Sequence, residues 1–242
     1  MKRLWRWIGL LVLAALALQV FFIGRIALMA AIDPQSTAFQ RSEAWQVWQA
    51  KGRLPWRQQW VPYDAISDTL KRAVIASEDG DFIHHDGVEW EAIEKAWQKN
   101  AQAEETAARR AQANRVARPI KIVGGSTITQ QLAKNLLLSG ERTLLRKGQE
   151  FVLTLALELL LSKQRILEIY LNSVEWGEGV FGAEAAAQHY YRKSAARLTP
   201  YEAARLAVML PRPKYFEKLP GSPYLASRAS TIVARMGDAV LP

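Results

Sequence analysis

From Leu4 to Ala31 nearly every residue is apolar, the exceptions being Arg6, Gln19, Gly24 and Arg25. Between Trp7 and Ile23 the one polar side chain is Gln19. A helix rising about 1.5 Å per residue needs roughly 20 residues to cross a bilayer, and this run is long enough if Arg25 snorkels to the interface. Lys2, Arg3 and Arg6 precede it, so the positive-inside rule keeps the N-terminus in the cytoplasm and places the rest beyond the membrane. Trp5 and Trp7 suit the inner interface, Phe21 and Phe22 the outer end. A cleaved signal peptide is the alternative, but the run is long for one and no small-x-small site follows it. The expectation is an uncleaved anchor over residues 1–32 and one extracytoplasmic domain over 33–242.

Beyond the anchor the pattern is mostly helical. Trp45, Trp48, Trp56 and Trp60 crowd the stretch from Ala44 to Pro62, where they either pack or sit at the lipid interface. From Ser67 the spacing predicts a helix, with Leu70, Ala73 and Val74 on one face and Gly80 at its end. Ala101 to Arg118 has almost no large apolar residue and reads as a solvated helix or a loop. Helices are predicted over Ile128–Leu138, Lys147–Leu171, Pro200–Pro211 and Tyr224–Ala239. Phe151–Leu161 is intensely apolar but about half the length of a span, so it reads as a buried helix at the centre of the domain. Ile120–Val123 is the best strand candidate. The fold class is mainly α, behind one transmembrane helix.

Composition narrows the chemistry. The 32 basic and 23 acidic residues leave a net charge of +9, which points to anionic partners: nucleic acid, a membrane surface or phosphate-bearing substrates. No cysteine is present, so disulfides, Cys-based metal sites and thiol nucleophiles are excluded.

Three constellations carry candidate chemistry. The first runs from Glu78 to Gly87 and holds four acids and two histidines in ten residues. Glu78 falls at the C-terminal end of a predicted helix, where the macrodipole and desolvation both raise a carboxylate's pKa, as a general base near neutral pH requires. The histidines lack a third ligand at suitable spacing, and His85 reads as a structural hydrogen-bonding residue. Phe82 inside the acidic run suggests that the loop folds back onto a core.

The second runs from Gly124 to Asn135. Thr127 and Gln130 form a capping-box pattern, and Thr127, Gln130, Gln131 and Lys134 make a polar face opposite Ile128, Leu132 and Leu136. Amides and hydroxyls with one lysine suit sugar hydroxyls and a phosphate. The third is Arg146, Glu150, Thr154 and Glu158, recurring every four residues as a polar stripe expected to face a cleft. An internal Arg146–Glu150 ion pair, worth at most about 0.5 kcal/mol in a helix, is too small to explain that stripe.

With these in place the sequence resembles glycosyltransferase family 51, the peptidoglycan glycosyltransferases. The matching blocks are Glu78-Asp79-x-x-Phe82-x-x-His85-x-Gly87, Gly124-Gly125-Ser126-Thr127-Ile128-Thr129-Gln130-Gln131-x-x-Lys134-Asn135, Arg146-Lys147-x-x-Glu150 and Ile166–Asn172. Gly179–Ala187 and Glu202–Ala207 continue the match in the same order. It spans about Val61 to Pro213. The chain ends at Pro242, leaving no room for the transpeptidase domain of bifunctional relatives, so a monofunctional member is expected.

The resemblance implies a lysozyme-like fold and a lipid II substrate, with the growing glycan strand as its second substrate. Glu78 then matches the catalytic base and Glu150 the second essential carboxylate, which orients basic residues or holds a divalent cation (Mg2+ or Mn2+). Lys134, Arg146 and Lys147 would meet the pyrophosphate. Ser126, Thr127, Gln130, Gln131 and Asn135 would line the sugar site, with Phe82 and His85 shaping the first loop. The implied location is the inner membrane, with a periplasmic domain beside other cell-wall synthesis or division proteins, and no nucleic acid. The rivals are a glycan-cleaving lytic transglycosylase or muramidase and a non-catalytic scaffold. Basic residues paired beside Glu150 favour a pyrophosphate leaving group, which a glycan-cleaving enzyme never meets, and the set Glu78, Glu150 and Lys134 counts against a scaffold.

Overall fold

The computed structural model describes residues 2–112, 125–138, 140 and 143–242. The expected strand at 120–123 and the end of the Ala/Arg-rich stretch lie outside them. The apolar run forms one continuous helix, α1 (Lys2–Leu28), long and apolar enough to cross a membrane. Its last turn enters the domain, where Ile26 and Met29 are buried in the core.

The next helix, α2 (Ala38–Lys51), was not anticipated. Thr37 and Gln40 cap it reciprocally, and Gly52 ends it at φ 62°. Gln40 is fully buried and donates to the Ser173 carbonyl at 3.2 Å, fastening α2 to the domain. Trp45 and Trp48 stack on its exposed side, whereas Trp56 packs on Phe181. The crowd of tryptophans therefore divides between packing and solvent.

After the short strand β1 (Arg57–Gln58) comes α3 (Asp68–Glu78), started by the Ser67 hydroxyl as the sequence predicts. Then follow α4 (Trp90–Gln112) and α5 (Ile128–Leu137). The single long helix expected over Lys147–Leu171 is two: α6 (Leu144–Leu160) and α7 (Lys163–Ser173). Ser162 makes the break, because its hydroxyl accepts from Arg165 N and starts a new helix just after the apolar run.

Nor is α6 buried all round. Leu153 and Leu157 enter the core, but Val152 and Leu155 are exposed and Leu144 and Leu159 are 92% and 84% exposed. The expectation of a central buried helix fails because apolar composition does not tell a core face from a face meant for another apolar phase.

Strands β2 (Glu175–Gly177) and β3 (Val180–Phe181) complete a three-stranded sheet in the order β1-β3-β2. β1 runs parallel to β3, with Arg57 opposite Val180, and β2 runs antiparallel to it. Gly179, at φ 72°, lies so close to the Pro55 carbonyl that a Cβ there would overlap it. Four helices close the chain: α8 (Ala183–Tyr191), α9 (Pro200–Met209), α10 (Pro213–Phe216) and α11 (Pro223–Arg235). Helices α3, α9 and α11 pack together, while α5 packs on α2, α6 and α7.

Helix α1 also packs on α6, and the one polar residue of its apolar stretch finds a partner there. Gln19 and Gln149 exchange two hydrogen bonds, at 2.8 and 2.9 Å. In a lipid setting such side-chain bonds are worth about 0.6 kcal/mol on average, and up to about 1.7. Gln149→Leu is expected to lower the melting temperature in detergent by about 2–4 °C, read by a thermal-shift assay. An unchanged melt would show that the pair does not tie the anchor to the domain.

Candidate active site

The site is built where three chain segments meet. Glu78 ends α3, and the next residue, Asp79, is almost fully buried (3% exposed). One Asp79 oxygen accepts from the Ile128 amide at the start of α5 (2.9 Å), where the helix N-terminus favours an anion. The other meets His85 Nε2 at 2.8 Å. Gly87 N donates to His85 Nδ1 at 3.0 Å, which leaves the proton on Nε2, directed at Asp79. His85 thus has the structural role expected from its spacing. Gly87 itself is at φ 81° against Thr154 and Glu158, where a Cβ would come within 2.7 Å of Thr154 Cγ2.

Asp79 and its partners fix the loop against α5, and that places Glu78 at a cleft of about 750 Å3. Ser126, Gln131, Lys134, Asn135 and Arg146 line the same cleft. Gln131 Nε2 donates to Glu78 Oε2 at 3.0 Å. The orientation of that amide is itself set: the buried Tyr170 hydroxyl donates to Gln131 Oε1 at 3.0 Å, leaving the NH2 group for Glu78. Burial raises the Glu78 pKa above its ordinary 4.5; the bonds from Gln131 and Ser77 oppose this, and the Asp79 charge adds to it. The carboxylate is therefore a stronger base than an exposed one, as a proton acceptor should be.

The remaining residues of the predicted set lie elsewhere. Thr127 and Gln130 are buried, capping α5 for each other, and Thr127 Oγ1 donates to the Gly87 carbonyl at 2.7 Å. Phe82 is fully buried, under the Lys163 ammonium and beside the His85 ring. These three and His85 hold the loop and do not line the cleft. Of the polar face expected on α5, Gln131 and Lys134 are the members that face the cleft.

The stripe on α6 turns inward as well. Glu150, 3% exposed, takes Arg146 Nη1 on one oxygen at 2.9 Å and Lys147 Nζ on the other. Thr154 Oγ1 donates to the Glu150 carbonyl, and Glu158 is held by Thr129 and Lys163. The ion pair that helix energetics alone made too small to matter does form, and burial is what gives it weight. Both Glu150 oxygens already have cationic partners. No group of three or more potential ligands stands together among the described residues. In this arrangement the residues beside Glu150 do not fit a divalent cation.

Several cleft residues had no sequence signal. Phe39, Ser42, Glu43 and Gln46 of α2, together with Glu175, Pro211 and Pro213, also line the wall. The Thr37-x-x-Gln40 capping pattern was the available clue to α2.

The Glu78 carboxylate and the basic residues of the cleft stand on a mainly helical frame. The transglycosylase family model matches residues 49–237, most of the chain. The chain belongs to the transglycosylase family. It is 55% identical over 241 residues to the biosynthetic peptidoglycan transglycosylase of Burkholderia thailandensis, covering 98% of this chain and 88% of that protein. It is 54% identical to the one of Burkholderia pseudomallei over the same shares. To that of Paraburkholderia phytofirmans it is 52% identical over 230 residues, 95% of this chain and 90% of the relative. The protein is a peptidoglycan glycosyltransferase that polymerises glycan strands in cell-wall synthesis.

Proposed function

We propose that the substrate polymerised is lipid II and that Glu78 is the base of an inverting transfer. The observation that carries this is one cleft joining a carboxylate of raised pKa to two cations on a second wall, Lys134 and Arg146. Glu78 takes the proton from the 4-hydroxyl of the acceptor GlcNAc. The freed oxygen attacks C1 of the MurNAc at the reducing end of the growing strand. As the C1–O bond breaks, its electron pair leaves with undecaprenyl pyrophosphate, and the α linkage becomes a β-1,4 bond. Pyrophosphate departs as a stabilised anion, so neutralising its charge matters more than an acid to protonate it.

Arg146 is suited to that task. Its Nη1 is fixed on Glu150, which holds the guanidinium at the cleft wall. Glu150 holds Arg146 and Lys147 in place and is the organiser of the cationic wall. Ser126 and Asn135 are left for sugar hydroxyls.

The same reading covers the membrane. α1 crosses the inner membrane with its N-terminus in the cytoplasm, and residues 33–242 work on the periplasmic side. Leu144, Leu145, Leu155 and Leu159 on α6 and Trp90 and Trp97 on α4 form an exposed apolar border that rests in the bilayer surface. Confinement there concentrates both lipid-borne substrates.

Purified protein incubated with lipid II is expected to yield glycan strands and undecaprenyl pyrophosphate. Absence of both, or release of short muropeptides from finished peptidoglycan, would contradict the reading.

A further inference from the structure

The wall of the cleft supplied by α2, β2 and α10 holds ionisable groups to which the proposed transfer gives no part. Glu175, 7% exposed, stands at the start of β2 and lines the cleft together with Glu43 of α2. Lys214 of α10 bonds to Glu43 and stands 3.4 Å from Glu175 Oε1. That oxygen is buried and has no hydrogen-bond partner. A buried carboxylate normally collects two or three donors, so one held by a single ion pair has acceptor capacity left over.

On the same wall Phe39, Val174, Leu210, Pro211 and Pro213 supply apolar surface, and Ser42 and Gln46 supply polar groups. A few polar groups set among apolar ones is the composition of a site for a small organic ligand. A pyranose ring matches it closely: its C–H face can lie on Phe39 and the prolines while a hydroxyl or acetamido N–H donates to a carboxylate.

We propose that Glu175, with Phe39, Pro211 and Pro213, forms a sugar subsite of the cleft, taking an N-acetylated pyranose of the glycan strand through a donor bonded to the Glu175 carboxylate. This rests on the proposed polymerisation of lipid II and adds a specificity-determining residue to it. Lys214, itself bonded to Glu43, is the cation beside the Glu175 carboxylate.

Titration gives the subsite a signature. Burial raises the Glu175 pKa to about 7; Lys214 opposes this, and Glu43 and Glu217 add to it. The Tyr190 hydroxyl on α8, which feels the Glu175 charge, is held on the Trp176 carbonyl, and His189 stands 3.7 Å from Glu217. An acceptor-only carboxylate is then lost as the pH falls from about 8 to about 6, and sugar affinity falls with it.

The test uses the full-length protein in detergent and a lipid-free peptidoglycan tetrasaccharide, which lacks pyrophosphate, with binding measured by calorimetry. Glu175→Leu is expected to weaken binding about tenfold or more. Glu175→Gln, which keeps the shape and one acceptor oxygen, is expected to recover part of that and to abolish the pH dependence. If Glu175→Leu melts well below wild type, Glu175→Gln and the pH profile decide the matter. A wild type that does not bind the fragment, or Glu175 variants that bind it equally at every pH, would overturn the subsite. Strand synthesis from lipid II by the wild type, measured alongside, separates that result from failure of the proposed function.

Discussion

Glu78→Gln is expected to cut the rate of strand synthesis by about 10²–10⁴-fold while leaving the protein at least as stable as wild type. The first half follows from the proton: an amide cannot take one from the acceptor hydroxyl. The second follows from linkage. Burial holds the Glu78 pKa above 4.5 in the folded state, so the folded protein binds more protons than the unfolded one between that value and its raised pKa. Stability therefore falls as pH rises through this window, and at neutral pH the ionised side chain is a standing cost to folding. Glutamine removes the cost and keeps the shape, and it can still meet Gln131. Loss of activity with an unchanged or higher melting temperature separates a chemical role from a structural one. A variant that loses activity and stability together would place Glu78 among the residues that merely hold the loop.

Asp79→Ala should behave in the opposite way, losing about 3–5 kcal/mol of stability. Its buried carboxylate accepts from Ile128 N and His85 Nε2, and alanine would strand both donors away from water. At about 2–4 °C per kcal/mol for a chain of this size, the melting temperature is expected to fall by about 10 °C. Activity should fall too, since the Asp79 bridge is what sets Glu78 beside α5. Asp79→Asn keeps one acceptor oxygen and should recover part of the stability. A melt of Asp79→Ala within about 2 °C of wild type would mean that the loop is held by Thr127 and the buried Phe82 instead.

The neighbourhood of Glu78 was legible because local rules agree there: a Ser67 cap, an apolar face and an acidic turn all mark the end of one helix. The amide face of α5 was legible only in part. Helical spacing puts Thr127, Gln130, Gln131 and Lys134 on one side, yet cannot tell that the first two are consumed in capping. The stripe on α6 shows the same limit. Periodicity located Arg146, Glu150, Thr154 and Glu158, but it did not show that the first three bond to one another within α6 or that Glu158 meets Thr129 of α5.

Glu175 was not legible at all. Val174-Glu175-Trp176-Gly177-Glu178 holds two glutamates, one buried and one reaching Lys51 at the surface, and only the pairing of β2 with β3 decides which is which. Helix α2 escaped notice because its capping box sits between the anchor and a run of tryptophans that drew the reading toward the lipid interface. The break at Ser162 was hidden because Lys163, Gln164 and Arg165 are good helix formers that let the helical pattern continue.

The central claim is that Glu78 is the base and that Gln131 tunes it. It is tested most directly by kcat/KM for lipid II as a function of pH, in wild type and in Gln131→Leu. In wild type the acid limb should report a group titrating above 4.5, the ordinary value for glutamate. Gln131 stabilises the ionised carboxylate, so its removal should carry the limb to higher pH and leave a lower plateau. A limb that stays in place when Gln131 is replaced, or that persists in the residual activity of Glu78→Gln, would contradict the account.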